Sequence, residues 1–211
     1  MRTPGYAYCY PCQEHQTESG GLLADVVVPI SYSPRIGQHH HHLRSYKATP
    51  PSMQARWNLL ALLLLFLRDH LDCVGDRMGG APTHVVTVPS TRGRPGPHVL
   101  ETLMRTHTPL PWLSAVPNPR YGPEARSFHA DWFAVGQIDR SAPARPLILD
   151  DTWTTGSRAQ SLAYALKRAG ARSVGVVVLG RHVRPEHEAS RPLLSAIQEP
   201  IFDPSVCAVQ R

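Results

Sequence analysis

Apolar residues fall along this chain in short runs separated by Gly, Pro and hydroxyl residues, and the spacing within each run predicts its element. Residues 24–30 are Val-rich and read as a strand, followed by turn chemistry over 31–37 with Pro34 and Gly37. Residues 39–47 read as a return strand or a short helix. Residues 53–73 are apolar nearly all round in their middle, which predicts a buried helix. A second buried strand is expected over 83–89, a helix over 99–106, a third strand over 112–116 and a short strand over 133–138. Residues 147–149 form another buried run that stops at Asp150 and Asp151. Helical spacing returns over 158–169, with Leu162, Ala165, Leu166 and Ala169 on one face and Gly170 to end it. A last strand is expected over 173–179, followed by a polar stretch over 181–188.

Strands alternating with helices predict an α/β fold with a mostly parallel central sheet flanked by helices. The chain divides by this reading into an N-terminal knuckle and hood segment, 1–50, and an α/β domain, 51–211. The 211 residues suffice for one domain with a sizeable core. With 22 Lys and Arg against 16 acids, the formal charge of +6 favours polyanionic partners, a polyphosphate or a nucleic acid. The N-terminus has no apolar segment of signal-peptide type, and the run 59–67 is too short to cross a bilayer, so no membrane span and a cytoplasmic location are expected.

Four cysteines in such a chain are not a disulfide framework. Cys9 and Cys12 form a Cys-x-x-Cys knuckle that is not expected to open a helix after a strand, as redox motifs of that spacing do. With the termini close in space, Cys9, Cys12, His15 and Cys207 make a candidate zinc set, the alternative being small packed or exposed thiols. Cys73 is expected to pack at the end of its helix. His39 to His42 read as a solvated basic segment rather than a metal site, because adjacent side chains on a strand diverge.

Residues 150–157, Asp-Asp-Thr-Trp-Thr-Thr-Gly-Ser, sit between a buried strand and a helix. The helix start offers unpaired N–H groups and partial positive charge, which suit a phosphate. Thr152, Thr154, Thr155 and Ser157 add hydroxyls, and Gly156 permits close backbone approach. Asp150 and Asp151 are acceptors, suited to a pair of sugar hydroxyls or to water on a hydrated Mg²⁺. A ligand with a phosphate at one end and a diol beside it is a ribose 5-phosphate. A plain helix start after a parallel strand and a phospho-acceptor aspartate pair are the alternatives. A nucleotide P-loop lacks its Gly-Lys pair here.

This run resembles the phosphoribosyl diphosphate (PRPP) signature of type I phosphoribosyltransferases. The order of parts, from the knuckle through Leu43-Arg44-Ser45-Tyr46-Lys47 and a Val-Pro strand with a basic loop to the acid pair, resembles the competence-associated ComF-type branch. That branch commonly carries a fuller four-cysteine zinc knuckle, of which Cys9 and Cys12 stand here. The resemblance implies that Asp150 and Asp151 hold the ribose hydroxyls and that Thr152, Trp153, Thr154, Thr155, Gly156 and Ser157 surround the 5-phosphate. It implies that Ser90, Thr91 and Arg92 take the pyrophosphate, with Arg92 offsetting charge on the leaving group, while a lid over 117–128 closes with Arg120 and Arg126. The same resemblance implies Mg²⁺ with PRPP, a candidate structural Zn²⁺ at the knuckle, and a product ribosylated at a nitrogen of an unidentified acceptor with pyrophosphate released. Two alternatives remain at this point: a PRPP or nucleotide binder without turnover, and an accessory that handles single-stranded DNA or meets DNA-uptake proteins. Tyr6, Tyr8 and Tyr10 are a faint aromatic signal for the latter. Oligomeric state is open, a homo-oligomer included.

Overall fold

The apolar run before the acid pair becomes β6 (Pro146–Trp153), and the main sheet is arranged around it. The structure, a computed structural model, describes residues 9–90, 96–122, 125–139, 141–198, 203, 206, 207 and 209. Pro146 to Leu149 are buried on both faces of β6, as a strand covered by helices on both sides requires. β6 pairs in parallel with β3 (His84–Thr87) and with β7 (Gly175–Val183). On the far side of β7 lies β1 (Val26–Pro29), and β2 (Tyr32–Pro34) continues along the same edge, both parallel to it. The strand order is β1-β7-β6-β3, with a separate antiparallel pair of β4 (Ala115–Pro117) and β5 (Phe133–Val135). The expected α/β class, a mostly parallel sheet between helices, is what the chain adopts.

Period-two alternation divides the apolar residues between two cores. On one face Ile148, Val176 and Val178 meet Leu162 and Leu166 of α5 (Ser157–Ala169), together with Trp132 and Phe133. On the other face Leu147, Leu149, Val177 and Leu179 meet α2 (Gln38–Ser45), α3 (Met53–Met78) and α4 (Val99–Met104) through Leu43, Leu59, Leu63 and Leu100. Each fully buried aliphatic side chain contributes about 1.5–3 kcal/mol, so this double burial is what orders the sheet. Helix α1 (Tyr10–Ser19) packs on α5, and α6 (Arg191–Gln198) follows a short 3₁₀ turn.

Several expectations are corrected. The proposed boundary near residue 50 does not separate two bodies, because β1 and β2 belong to the main sheet. Residues 10–19 are helical, with Pro11 in the first turn where its missing N–H costs nothing, so the Cys-x-x-Cys does open a helix, although no strand precedes it among the described residues. The third strand begins at Ala115, and Trp112 makes only an isolated parallel bridge to Val85. Helix α3 runs five residues past Cys73, because Val74 and Met78 are buried against the sheet, and Gly79 at φ 72° ends it. β7 continues through Arg181, His182 and Val183, which pair with Tyr32, Ser33 and Pro34.

Candidate functional site

Strand alternation sends neighbouring carboxylates to opposite faces. Asp151 turns toward α2 and α3, where the fully buried Tyr46 donates its hydroxyl to Oδ2 at 2.5 Å and Lys47 Nζ donates to the same oxygen. His98 Nε2 lies 3.9 Å from that oxygen. Asp150 stays on the cleft side, makes no ion pair among the described residues, and accepts the Asp151 backbone N–H at 2.8 Å. The two carboxyls are therefore driven apart in acidity. Burial and the neighbouring Asp151 charge push Asp150 up, to about 7. Burial would raise Asp151 as well, but Lys47, His98 and the Tyr46 hydrogen bond outweigh it and hold the group well below the usual carboxylate range. Asp151 is a fixed anion, and Asp150 is an acceptor poised to gain or lose a proton.

Past β6 the chain turns at Gly156, whose φ of 83° is the left-handed region, and enters α5 at Ser157. A Cβ at Gly156 would overlap the Trp153 indole, which lies beneath the turn and packs into the core with Ile148 and Leu162. Trp153 is thus the floor of the loop and does not line the cleft, contrary to its expected ligand role. Thr152, Thr154, Thr155, Gly156 and Ser157 do line it. The Thr155 and Ser157 hydroxyls are 2.7 Å apart, and both donate to the backbone carbonyl of Arg126. From the other side His15 Nε2 sits 3.2 Å from Ser157 Oγ, with the imidazole buried and its pKa lowered by desolvation. The first helix is therefore tied to the start of α5.

These elements surround a cleft of about 1040 Å³ at the C-terminal ends of β3, β6 and β7. That is where open parallel sheets hold ligands. Ser90 lines it, whereas Thr91 and Arg92 lie outside the described residues. Of the lid arginines, Arg126 reaches the lining. Arg120 does not; it is an exposed side chain 3.7 Å from Asp131. In the same segment Tyr121 stacks on His129 with centroids 4.1 Å apart and donates to Asp131.

The opposite wall is basic, and sequence reading missed it. His40, Arg44 and Lys47 of α2 and its C-terminal turn face His182 and Arg184 at the end of β7. His40 and His182 stack with centroids 4.7 Å apart, and burial lowers the pKa of both. Arg44 and Arg184 have no ion-pair partner among the described residues. The histidine run is accordingly helical and partly buried instead of solvated: His39 Nε2 lies 3.0 Å from the Leu179 carbonyl, and a Cβ at Gly180 would strike Leu43 and His39. Glycine at 180 is what lets α2 come this close.

The expected zinc set does not assemble. Cys9 and Cys12 have their sulfurs 3.2 Å apart at the start of α1, but His15 is turned to Ser157. Cys207 is elsewhere, beside Cys73 and His70 of α3. Helical spacing does not itself separate them, since residues 12 and 15 are three apart on α1; His15 is drawn off by Ser157 of α5, while the Cys12 sulfur stays with Cys9. Tyr46, Lys47, His98 and His40 are the residues that sequence reading left without a role here. No local signal marks them, because their partners lie about a hundred residues away in the chain for Tyr46 and Lys47.

No protein-family model matches the chain, and no curated protein does. Among solved structures it is similar to a hypoxanthine phosphoribosyltransferase from Staphylococcus aureus in two crystal forms, with 13% and 11% identity and a TM-score of 0.37 for each. Those matches cover 62% and 63% of this chain and 76% and 77% of the other. It is likewise similar to a purine phosphoribosyltransferase from Pyrococcus horikoshii Ot3, at 14% identity and a TM-score of 0.39 over 72% of this chain and 95% of that one.

Proposed function

We propose that the chain binds PRPP and transfers its ribose 5-phosphate to a nitrogen of an acceptor, releasing pyrophosphate. The observation that carries this is the joint opening, into one cleft, of an acid pair, a hydroxyl loop at a helix start and a basic wall. The α5 amide end and the Thr154–Ser157 hydroxyls suit the 5-phosphate. Asp150 accepts from the ribose diol, with Asp151 fixed behind it. Bond cleavage at C1 leaves positive charge on the ring and negative charge on the departing pyrophosphate. The two carboxylates offset the first, and the cations of the wall, with Arg92 of the basic loop, offset the second. The nucleophile belongs to the acceptor, so no nucleophilic side chain is needed. Asp150, a hard oxygen donor without an ion pair among the described residues, would hold Mg²⁺ brought in with PRPP, and the metal would supply neutralisation of the diphosphate charge. The Arg126 carbonyl that now occupies the Thr155 and Ser157 hydroxyls must yield as the phosphate enters, which couples loading to movement of that segment and to exclusion of water.

Mg²⁺-PRPP is expected to raise the melting temperature in a thermal-shift assay, and the double change Asp150→Asn, Asp151→Asn to remove the shift. Wild-type protein that melts unchanged at saturating PRPP sinks the reading. Pyrophosphate release across purine, pyrimidine and amine acceptors then measures turnover.

Acidity gives a second expectation. Asp150 is raised, so the folded protein holds its proton between the ordinary carboxylate range and about 7, and stability falls as pH rises through that window. The same ionisation creates the acceptor the diol requires. Affinity for Mg²⁺-PRPP should therefore tighten as pH rises through about 7. Calorimetric titrations at several pH values check this, and Asp150→Asn should flatten the Asp150 component, leaving only the titration of PRPP itself.

A further inference from the structure

We infer that His70, Cys73 and Cys207 form a zinc site that fastens the C-terminal segment to α3. One ligand atom from each lies within 4.8 Å of the other two. His70 and Cys73 are three apart on a continuous helix, which sets their side chains on one face, one above the other. Cys207 comes from 134 residues further along the chain and is buried, whereas the other two are half-buried. An imidazole and two thiols are a borderline-soft donor set, suited to Zn²⁺ and poorly suited to Mg²⁺ or Ca²⁺. Zn–S bonds of about 2.3 Å in tetrahedral geometry place sulfurs about 3.8 Å apart, so the three atoms need only small side-chain adjustments to share an ion.

The surroundings agree with that ion. The Val209 backbone N–H donates to the Cys207 sulfur at 3.4 Å, an interaction that steadies a thiolate. Asp76, one turn beyond Cys73, acts on that sulfur with its negative charge, which favours a bound cation. His70 lies against Phe66 with ring centroids 5.3 Å apart, which limits the imidazole's rotation. Val209 packs against the α3-side core, so the site joins the end of the chain to the body of the fold. Binding releases one proton from each thiol and leaves the fourth position to water or a further oxygen donor. The site is separate from the cleft and stands whether or not the cleft binds PRPP.

Co²⁺ replaces Zn²⁺ and reports its ligands by colour. Added to the reduced, metal-free full chain, Co²⁺ should give a thiolate-to-cobalt charge-transfer band and tetrahedral d–d bands, at one ion per chain, with Zn²⁺ displacing it. Cys73→Ser, Cys207→Ser and His70→Gln should each weaken or abolish the bands, while Cys9→Ser with Cys12→Ser leaves them intact. Zn²⁺ should also raise the melting temperature of the wild type and not of Cys207→Ser. Three results overturn the proposal: no charge-transfer band in the wild type, bands lost with Cys9 and Cys12 but kept without Cys73 and Cys207, or a Cys73–Cys207 disulfide that dissolved oxygen forms as fast with zinc present as without it. His70→Gln keeps the test decisive if a cysteine variant fails to fold, because His70 is half-buried at the helix surface.

Discussion

Lys47→Met should destabilise the protein by about 3 kcal/mol, the low end of what unpairing a buried charge costs. Asp151 is 8% exposed and Lys47 is 28% exposed, so the pair is buried at the acid end and only partly hydrated at the base end. Methionine keeps the aliphatic stem and removes the charge alone. Tyr46 and His98 remain as partners, which is why the upper end of that range is not expected. For a chain of this size the change corresponds to a melting-temperature drop of roughly 6–12 °C. The sign with pH follows from Asp151, whose lowered pKa contributes stability that is present above the ordinary carboxylate value and lost as pH falls toward about 2. Without Lys47 that carboxyl protonates at higher pH, and once neutral it needs no cation. The stability gap between the two proteins should therefore close on acidification, and adding Asp151→Asn to Lys47→Met should recover part of the loss. Urea unfolding at neutral and acidic pH measures all three. A gap that stays constant with pH would show that Lys47 acts through packing and not through Asp151.

Gly156→Val should be the most damaging single change in the loop. Any L side chain at a φ of 83° is strained by about 1–2 kcal/mol, and more when β-branched. The new Cβ would also overlap Trp153, which cannot retreat because its indole is packed against the core beneath the turn. Together these should cost about 3 kcal/mol or more, within the range for overpacking a core. The turn would have to move away from the tryptophan, carrying the first amides of α5 out of place. Unfolding by urea should show the loss, and the Mg²⁺-PRPP melting shift should vanish at temperatures where the variant is still folded. Gly136→Ala is the control, since its Cβ would meet nothing within 4 Å, and it should be nearly neutral. A Gly156→Val protein that keeps the PRPP shift would remove the loop from the proposed site.

Both predictions turn on residues whose importance has different visibility in the sequence. Gly156 is legible: a lone glycine between hydroxyls and a helical run is where a strand-to-helix turn needs positive φ. Lys47 is not, because nothing near residue 47 announces a carboxylate partner at 151. The same contrast holds for the histidines. Four in a row read as a solvated stretch of a return strand or a short helix, and it is the helix, α2, that places His39 against Leu179 and His40 on His182.

Local pattern determined the strands at 24–30, 83–89 and 147–149, the helix after the acid pair and the chemistry of its entry loop, because period and turn residues act over a few positions. Only the tertiary structure decided that Asp151 is pinned while the half-buried Asp150 lines the cleft without an ion pair among the described residues, that Trp153 is a floor, and that Cys207 meets His70 and Cys73 instead of Cys9 and Cys12. Those outcomes depend on which helix crosses which strand. That is settled by burying two apolar faces of one sheet at once, a condition on the whole chain and on no single segment of it.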